Sequence, residues 1–457
     1  MIKVAYIGAG SLQFGPMIVQ DILMSNVLSS DGLEIHLMDI VESHLEPVLA
    51  HCEYVNSRLK RDATFIITTD RDAAIKGADF VICALEKDRN IYWSQDFHIP
   101  RKYGFKQVYG ENGGIGSIFH ALRNIKVIME LAHAMELLCP EALLMNFSNP
   151  EHKICEAVTR LTDIKTVGLC HGVFMGREQI SEMIDVPLDE LETKACGINH
   201  FTWFQVIKHK TTGEDLYPKL REVEKQGDWL AKWHELALGR ILFRRFGQWP
   251  SPASNHYGEY IRWAEEFVIP QLQFFYDPAD GHPWENKQIP EGVYTVDRVD
   301  YKRPWVKVWD KVLLPMGELE EQILENEDGS FKSSGEIVTL IIESVLSDKK
   351  TWLEAVNIPN NGAIPNLPDD LVVEVPAYSD ASGIHGVQME PMPEAIAATI
   401  RLHASIHKLT VEAYAEESKN KLLQAILIEP NVNSYRNAID MCNEMMELQK
   451  DVLPVLK

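Results

Sequence analysis

The chain has 457 residues, of which 46% are apolar and 24% charged, a composition that fits a globular protein with room for two or three domains. A formal net charge of −23 excludes nucleic acid and anionic membrane as partners, because both require a basic face. No apolar run approaches the ~20 residues that span a bilayer. No export signal precedes the first strand, and the 7 cysteines are odd in number and scattered, so reduced thiols in a cytoplasmic location are expected.

Residues 2–7 form an apolar run read as a strand. They lead into Gly8-Ala-Gly10-Ser11 and a helix from about Pro16 to Asn26. A second strand, 34–38, ends at Asp39. This is a βαβ unit with glycines at the first turn and a carboxylate closing the second strand. Gly8, Gly10 and Ser11 are expected to let the backbone approach a pyrophosphate at a helix N-terminus. Asp39 is expected to accept from ribose hydroxyls, favouring NAD over NADP.

The alternation continues with strands at 64–69, 79–84, 143–147 and 165–169, interleaved with helices, the longest from Ile118 to about Leu138. Residues 86–90 are expected as a polar loop facing the ligand crevice. Six strands in this pattern predict an α/β fold, a Rossmann-type doubly wound parallel sheet. It occupies residues 1–200, the NAD-binding domain.

The pattern changes after His200. Residues 201–207 read as a strand of a mixed or antiparallel sheet, and 228–247 as a helix burying Trp229, Leu230, Trp233, Leu236 and Leu238. Residues 270–305 read as loop, 336–347 as helix, 356–368 as a long polar turn and 372–375 as a strand. The stretch 393–449 holds two or three amphipathic helices, which could serve an interface between copies in a homo-oligomer. Residues 201–457 are therefore expected as an α+β C-terminal domain of mixed sheet and helices, capping the first.

Two strand ends carry chemistry. Cys170 and His171 end the sixth strand, and His200 follows Gly197-Ile-Asn199. Cys170 and His200 together offer a thiolate and an imidazole to a divalent metal and leave open positions for substrate oxygens. Such a site polarises a carbonyl and stabilises an enolate. NAD plus a metal points to redox chemistry at a carbon bearing a hydroxyl.

Gly8-Ala-Gly-Ser11, Asn146-Phe-Ser-Asn-Pro150, Cys170-His-Gly-Val173, Gly197-Ile-Asn-His200 and Asn366-Leu-Pro-Asp-Asp370 with Val373-Glu-Val-Pro376 resemble glycoside hydrolase family 4. The motifs occur in the family's order over most of the chain. The resemblance implies NAD- and Mn²⁺-dependent glycoside cleavage, outside the two-carboxylate scheme. In it, NAD⁺ takes a hydride from sugar C3, and a base removes the acidified C2 proton while the metal stabilises the enediolate. The C1 group then leaves, water adds, and NADH returns the hydride.

Carried over, Cys170 and His200 match the metal ligands and Asn149 matches a substrate-contacting asparagine. His171 follows the metal cysteine, as in relatives acting on unphosphorylated sugars. Glu111, in the glycine-rich stretch 110–116, stands for the leaving-group acid. Where many relatives place an aspartate or tyrosine base after Gly-x-x-Pro, Gly247-Gln-Trp-Pro250 leads here to Ala253-Ser254. Ser254-Asn-His256-Tyr257-Gly-Glu-Tyr260 resembles the α-galactosidase branch. His256 and Tyr257 are then the nearest groups fit to act as base, with His256 alternatively a third metal ligand. The expected substrate is an α-galactoside or α-glucoside. An α-galacturonide or α-glucuronide is the alternative, its carboxylate meeting Lys87, Arg89 or Arg123. An NAD-dependent sugar dehydrogenase would use the same first half.

Overall fold

The computed structural model describes residues 1–10, 15–28, 32–226, 236–268, 326 and 328–457. Ser11, Trp229, Leu230, Trp233 and the expected loop 270–305 lie outside these.

Six strands run parallel: β1 (Ile2–Ile7), β2 (Leu33–Met38), β3 (Thr64–Thr68), β4 (Phe80–Cys83), β5 (Leu143–Asn146) and β6 (Thr166–Gly168). Their order in the sheet is β3-β2-β1-β4-β5-β6, the doubly wound arrangement. β4 is buried along its whole length, as expected of a strand covered on both faces. The helices between them are α1 (Gly15–Met24), α2 (Glu42–Arg58), α3 (Arg71–Ile75), α4 (Arg89–Lys102), α5 (Gly116–Leu138) and α6 (Glu151–Leu161). The expected loop 86–90 is shorter than anticipated, because α4 begins at Arg89.

The sheet does not stop at β6. It continues through β10 (Thr351–Pro359), β11 (Val372–Asp380), β7 (Leu191–Ile198), β8 (Phe201–His209) and β9 (Pro250–Ser251), with β12 (Gly383–Gly386) on β11. These further pairings are antiparallel. The change of pattern expected at residue 200 falls at the turn of the β7–β8 hairpin, where Ile198 pairs with Phe201.

The polar turn expected over 356–368 is corrected at its start. Val356–Pro359 complete β10 and pair in register with Val372–Val375. Asn357 and Pro359 disguised a strand whose neighbours Leu353, Ala355 and Val356 are buried. The turn proper is organised by buried Asn360, whose amide donates to the carbonyls of Ile364, Leu367 and Pro368, each at 3.1 Å. Three helices close the chain, Glu394–Ala415, Lys419–Ile428 and Tyr435–Leu448. The first packs on α5 and α6 and the last on α4, while Leu402, Leu427, Ile428 and Tyr435 on these helices stay exposed. No helix among the described residues is long and apolar enough to cross a membrane.

Candidate active site

The strand order reverses between β1 and β4, and ligands of open α/β sheets bind at the carboxyl ends of strands flanking such a reversal. Gly8, at φ 85°, lies against the Ala84 carbonyl, where any Cβ would collide. Gly10 donates its N–H to Asp39 Oδ2 at 3.1 Å, and a Cβ there would fall 2.7 Å from the same oxygen. Asp39 Oδ1 accepts from Val41 N at 3.0 Å. The glycines and the carboxylate thus form one cradle of bare backbone beside an acid, which fits the ribose and pyrophosphate of a dinucleotide. The loop after β5 joins it, with Ser148 Oγ accepting from Leu85 N at 2.9 Å.

Three segments meet at the other wall. Glu111 stands in the turn-rich stretch before α5, His200 occupies the β7–β8 turn at φ 63°, and His256 lies in the single helical turn Ser254–Tyr257. One ligand atom from each of Glu111, His200 and His256 lies within 4.8 Å of the others. The two imidazoles meet edge to face, with ring centroids 4.5 Å apart. Burial holds both rings in the neutral form, His256 down to about 4. His256 Nδ1 donates to Asn255 Oδ1 at 2.8 Å, which leaves its Nε2 lone pair free. The two neutral imidazoles suit a divalent ion of Mn²⁺ type, with the Glu111 carboxyl beside them.

Glu111 is buried, and burial raises its carboxyl above the usual range, against the pull of Arg89. Arg89 lies 3.4 Å from Glu111 and 3.3 Å from Glu86, its guanidinium over the Trp93 ring. Burial alone would raise Glu86 as well, but Arg89 and His120 outweigh it and bring the carboxyl down to about 2. The Asn149 side chain reaches Glu111, and its carbonyl accepts from Asn124 Nδ2 at 2.5 Å.

Cys170 ends the loop after β6, its Sγ 3.3 Å from Gly172 N and beside the Asn199 side chain, next to His200. Burial, with Glu374 and Glu151, pushes its thiol pKa upward. His171 is half exposed, stacked on Phe174 and 3.6 Å from Glu336, which raises its pKa.

Two expected roles are corrected. Arg123 does not line the pocket. Its guanidinium is buried against Asp96 at 3.0 and 2.6 Å and against Gln449 Oε1 at 2.7 Å, tying α5 to α4 and the C-terminal helix. Tyr257 is turned into the core, 1% exposed, with its hydroxyl 3.0 Å from Ser254 Oγ. Lys87 lies 3.8 Å from Asp88, near the surface. Reasoning from motifs missed Asn112, Glu259 and Lys153. Glu259 belongs to the segment 254–260 that the resemblance singled out, and that membership was the one signal the sequence held for it.

Residues 3–186 match the Family 4 glycosyl hydrolase model and residues 195–432 its C-terminal domain. An α-glucosidase of Erwinia rhapontici is 30% identical over 499 residues, covering 100% of this chain and 99% of that one. An α-galactosidase of Bacillus subtilis (strain 168) is 29% identical over 464 residues, covering 100% of both. A 6-phospho-α-glucosidase from gut microorganisms, crystallised with NAD and Mn²⁺, shares the fold with a TM-score of 0.80 at 22% identity over 100% of both chains. Matched in order through both halves and at full length, this chain belongs to glycoside hydrolase family 4.

Proposed function

We propose that the chain hydrolyses an unphosphorylated α-galactoside or α-glucoside, with NAD and a divalent metal such as Mn²⁺ as cofactors. The observation that carries this reading is the convergence of Glu111, His200 and His256 beside a glycine–Asp39 cradle. When bound, NAD supplies a hydride acceptor and donor, and the metal supplies a Lewis acid. His200 and His256 offer neutral nitrogens to the metal, and Cys170, hydrogen-bonded to the Asn199 side chain, is the ligand that the family resemblance adds. Glu111 holds a proton for the departing oxygen, since burial favours its neutral form. Asn149 orients that carboxyl and the sugar.

A neutral sugar is favoured by the ion pairs. Arg89 is matched by Glu86, Arg123 by Asp96 and Lys87 by Asp88, so the three cations considered for a uronate already have carboxylate partners. The full-length similarity to an α-glucosidase and an α-galactosidase supports the same substrate class.

The test is a panel of 4-nitrophenyl α-galactoside, α-glucoside, α-galacturonide and α-glucuronide with NAD⁺ and Mn²⁺. Nitrophenol release from a neutral glycoside without net NADH is expected. Net NADH without nitrophenol would identify a dehydrogenase, and preference for a uronide would overturn the neutral-sugar assignment.

A further inference from the structure

The stretch carrying Glu111 has no regular secondary structure, yet the backbone from Glu111 to Gly113 is held from both sides. The Glu259 carboxylate accepts from three consecutive backbone N–H groups, Glu111 at 2.7 Å, Asn112 at 3.0 Å and Gly113 at 3.3 Å. Successive N–H groups pointing into one concavity form an anion nest, and here the anion belongs to the protein. Gly113 has no room for a side chain, since a Cβ would lie 2.7 Å from Glu259 Cβ. From the other side, Lys153 Nζ donates to the Asn112 carbonyl at 2.9 Å and His120 Nδ1 lies 3.0 Å from the Glu111 carbonyl.

Asn112 carries this order to the metal wall. Its side-chain Nδ2 stands 2.9 Å from His200 Nδ1, while Oδ1 is buried with no partner. Turning the amide by half a rotation brings Oδ1 to His200, where it accepts the Nδ1 proton and leaves the Nε2 lone pair for a metal. This is the usual outer partnership of a metal-binding imidazole.

We propose that Glu259 is a positioning residue, which through the Glu111–Gly113 backbone fixes the leaving-group acid and, by way of Asn112, the ring of His200. The assignment rests on the proposed function in taking Glu111 as acid and His200 as metal ligand. Burial first and the neighbouring Glu111 carboxyl second push the Glu259 carboxyl up, and the three backbone N–H donors pull the other way; the geometry of the nest, with three donors on two oxygens, carries the assignment. An amide in its place would turn an NH₂ toward backbone donors.

The experiment titrates Mn²⁺ into the NAD-bound full-length chain, with free Mn²⁺ followed by electron paramagnetic resonance, for the parent, Glu259→Gln and Asn112→Ala. Each variant should bind Mn²⁺ roughly 10- to 100-fold more weakly. NAD affinity should hold within about twofold, and kcat should fall more than KM rises. If Glu259→Gln fails to fold, Asn112→Ala, which leaves the nest intact, carries the test. Mn²⁺ affinity within about twofold of the parent in a folded variant would overturn the assignment. A parent that binds Mn²⁺ but cleaves no glycoside sinks the proposed function and the acid-positioning half of the role, while weaker Mn²⁺ binding in the variants would still uphold the positioning of His200. A parent that binds no Mn²⁺ sinks both.

Discussion

The carboxylate of Glu151 lies across Gly168, with Oε1 in the space that a side chain on that glycine would occupy. Asn146, Gly168, Asn357 and Glu374 are successive register partners across β5, β6, β10 and β11. A polar row therefore crosses the sheet, and the first residue of α6 fills its gap. Gly168→Ala should destabilise the chain by roughly 1–3 kcal/mol, because the buried carboxyl must shift. Urea denaturation reads this, and Glu151→Ala in the same chain should recover part of the loss.

Glu111→Gln keeps the shape of the side chain and removes its proton. For substrates with a poor leaving group, kcat should fall by about 10²–10⁴. For 4-nitrophenyl glycosides, whose aglycone leaves unprotonated, the fall should be much smaller. Parallel losses on both substrate types would contradict the acid role.

Arg123→Met would leave the Asp96 carboxylate buried without its cation, with an expected destabilisation of about 3–5 kcal/mol. Thermal denaturation should show the loss, while KM of the surviving folded enzyme stays near the parent value. A large rise in KM at unchanged stability would return Arg123 to the substrate pocket.

Glu86 supplies a pH dependence. Its folded carboxyl sits at about 2, well below the ordinary 4.5, so the unfolded chain binds its proton first as pH falls. The stabilisation is complete above about pH 4.5 and is lost between there and about pH 2. The stability difference between parent and Glu86→Gln, on the order of 1–3 kcal/mol at pH 6, should shrink on acidification to pH 3. A gap that widens on acidification would contradict the pairing with Arg89 and His120.

The dinucleotide half was legible because its signals are local: an apolar run, glycines at the turn, and Asp39 closing the next strand. The match of Cys170 and His200 to family motifs was legible for the same reason. Arg123 was misread because its partners, Asp96 and Gln449, arrive from distant parts of the chain and leave no mark on spacing. Glu259 was passed over because it binds backbone N–H groups, which any sequence supplies. In β10, Asn357 broke the apolar pattern, yet its side chain belongs to the polar row under the sheet. The sequence around His256 shows its residue type but not its neighbour, because its place beside His200 appears only when the β7–β8 turn meets the segment after β9.

Backbone pairing runs without a break from β3 to β9, crossing from the parallel to the antiparallel half where Gly168 meets Asn357. The Gly8–Gly10 cradle and the His200 turn are thus borne by strands of one sheet. Backbone hydrogen bonds between strands therefore carry the spacing between the cradle and the turn, while the polar side chains around them stand on the connections at the strand ends.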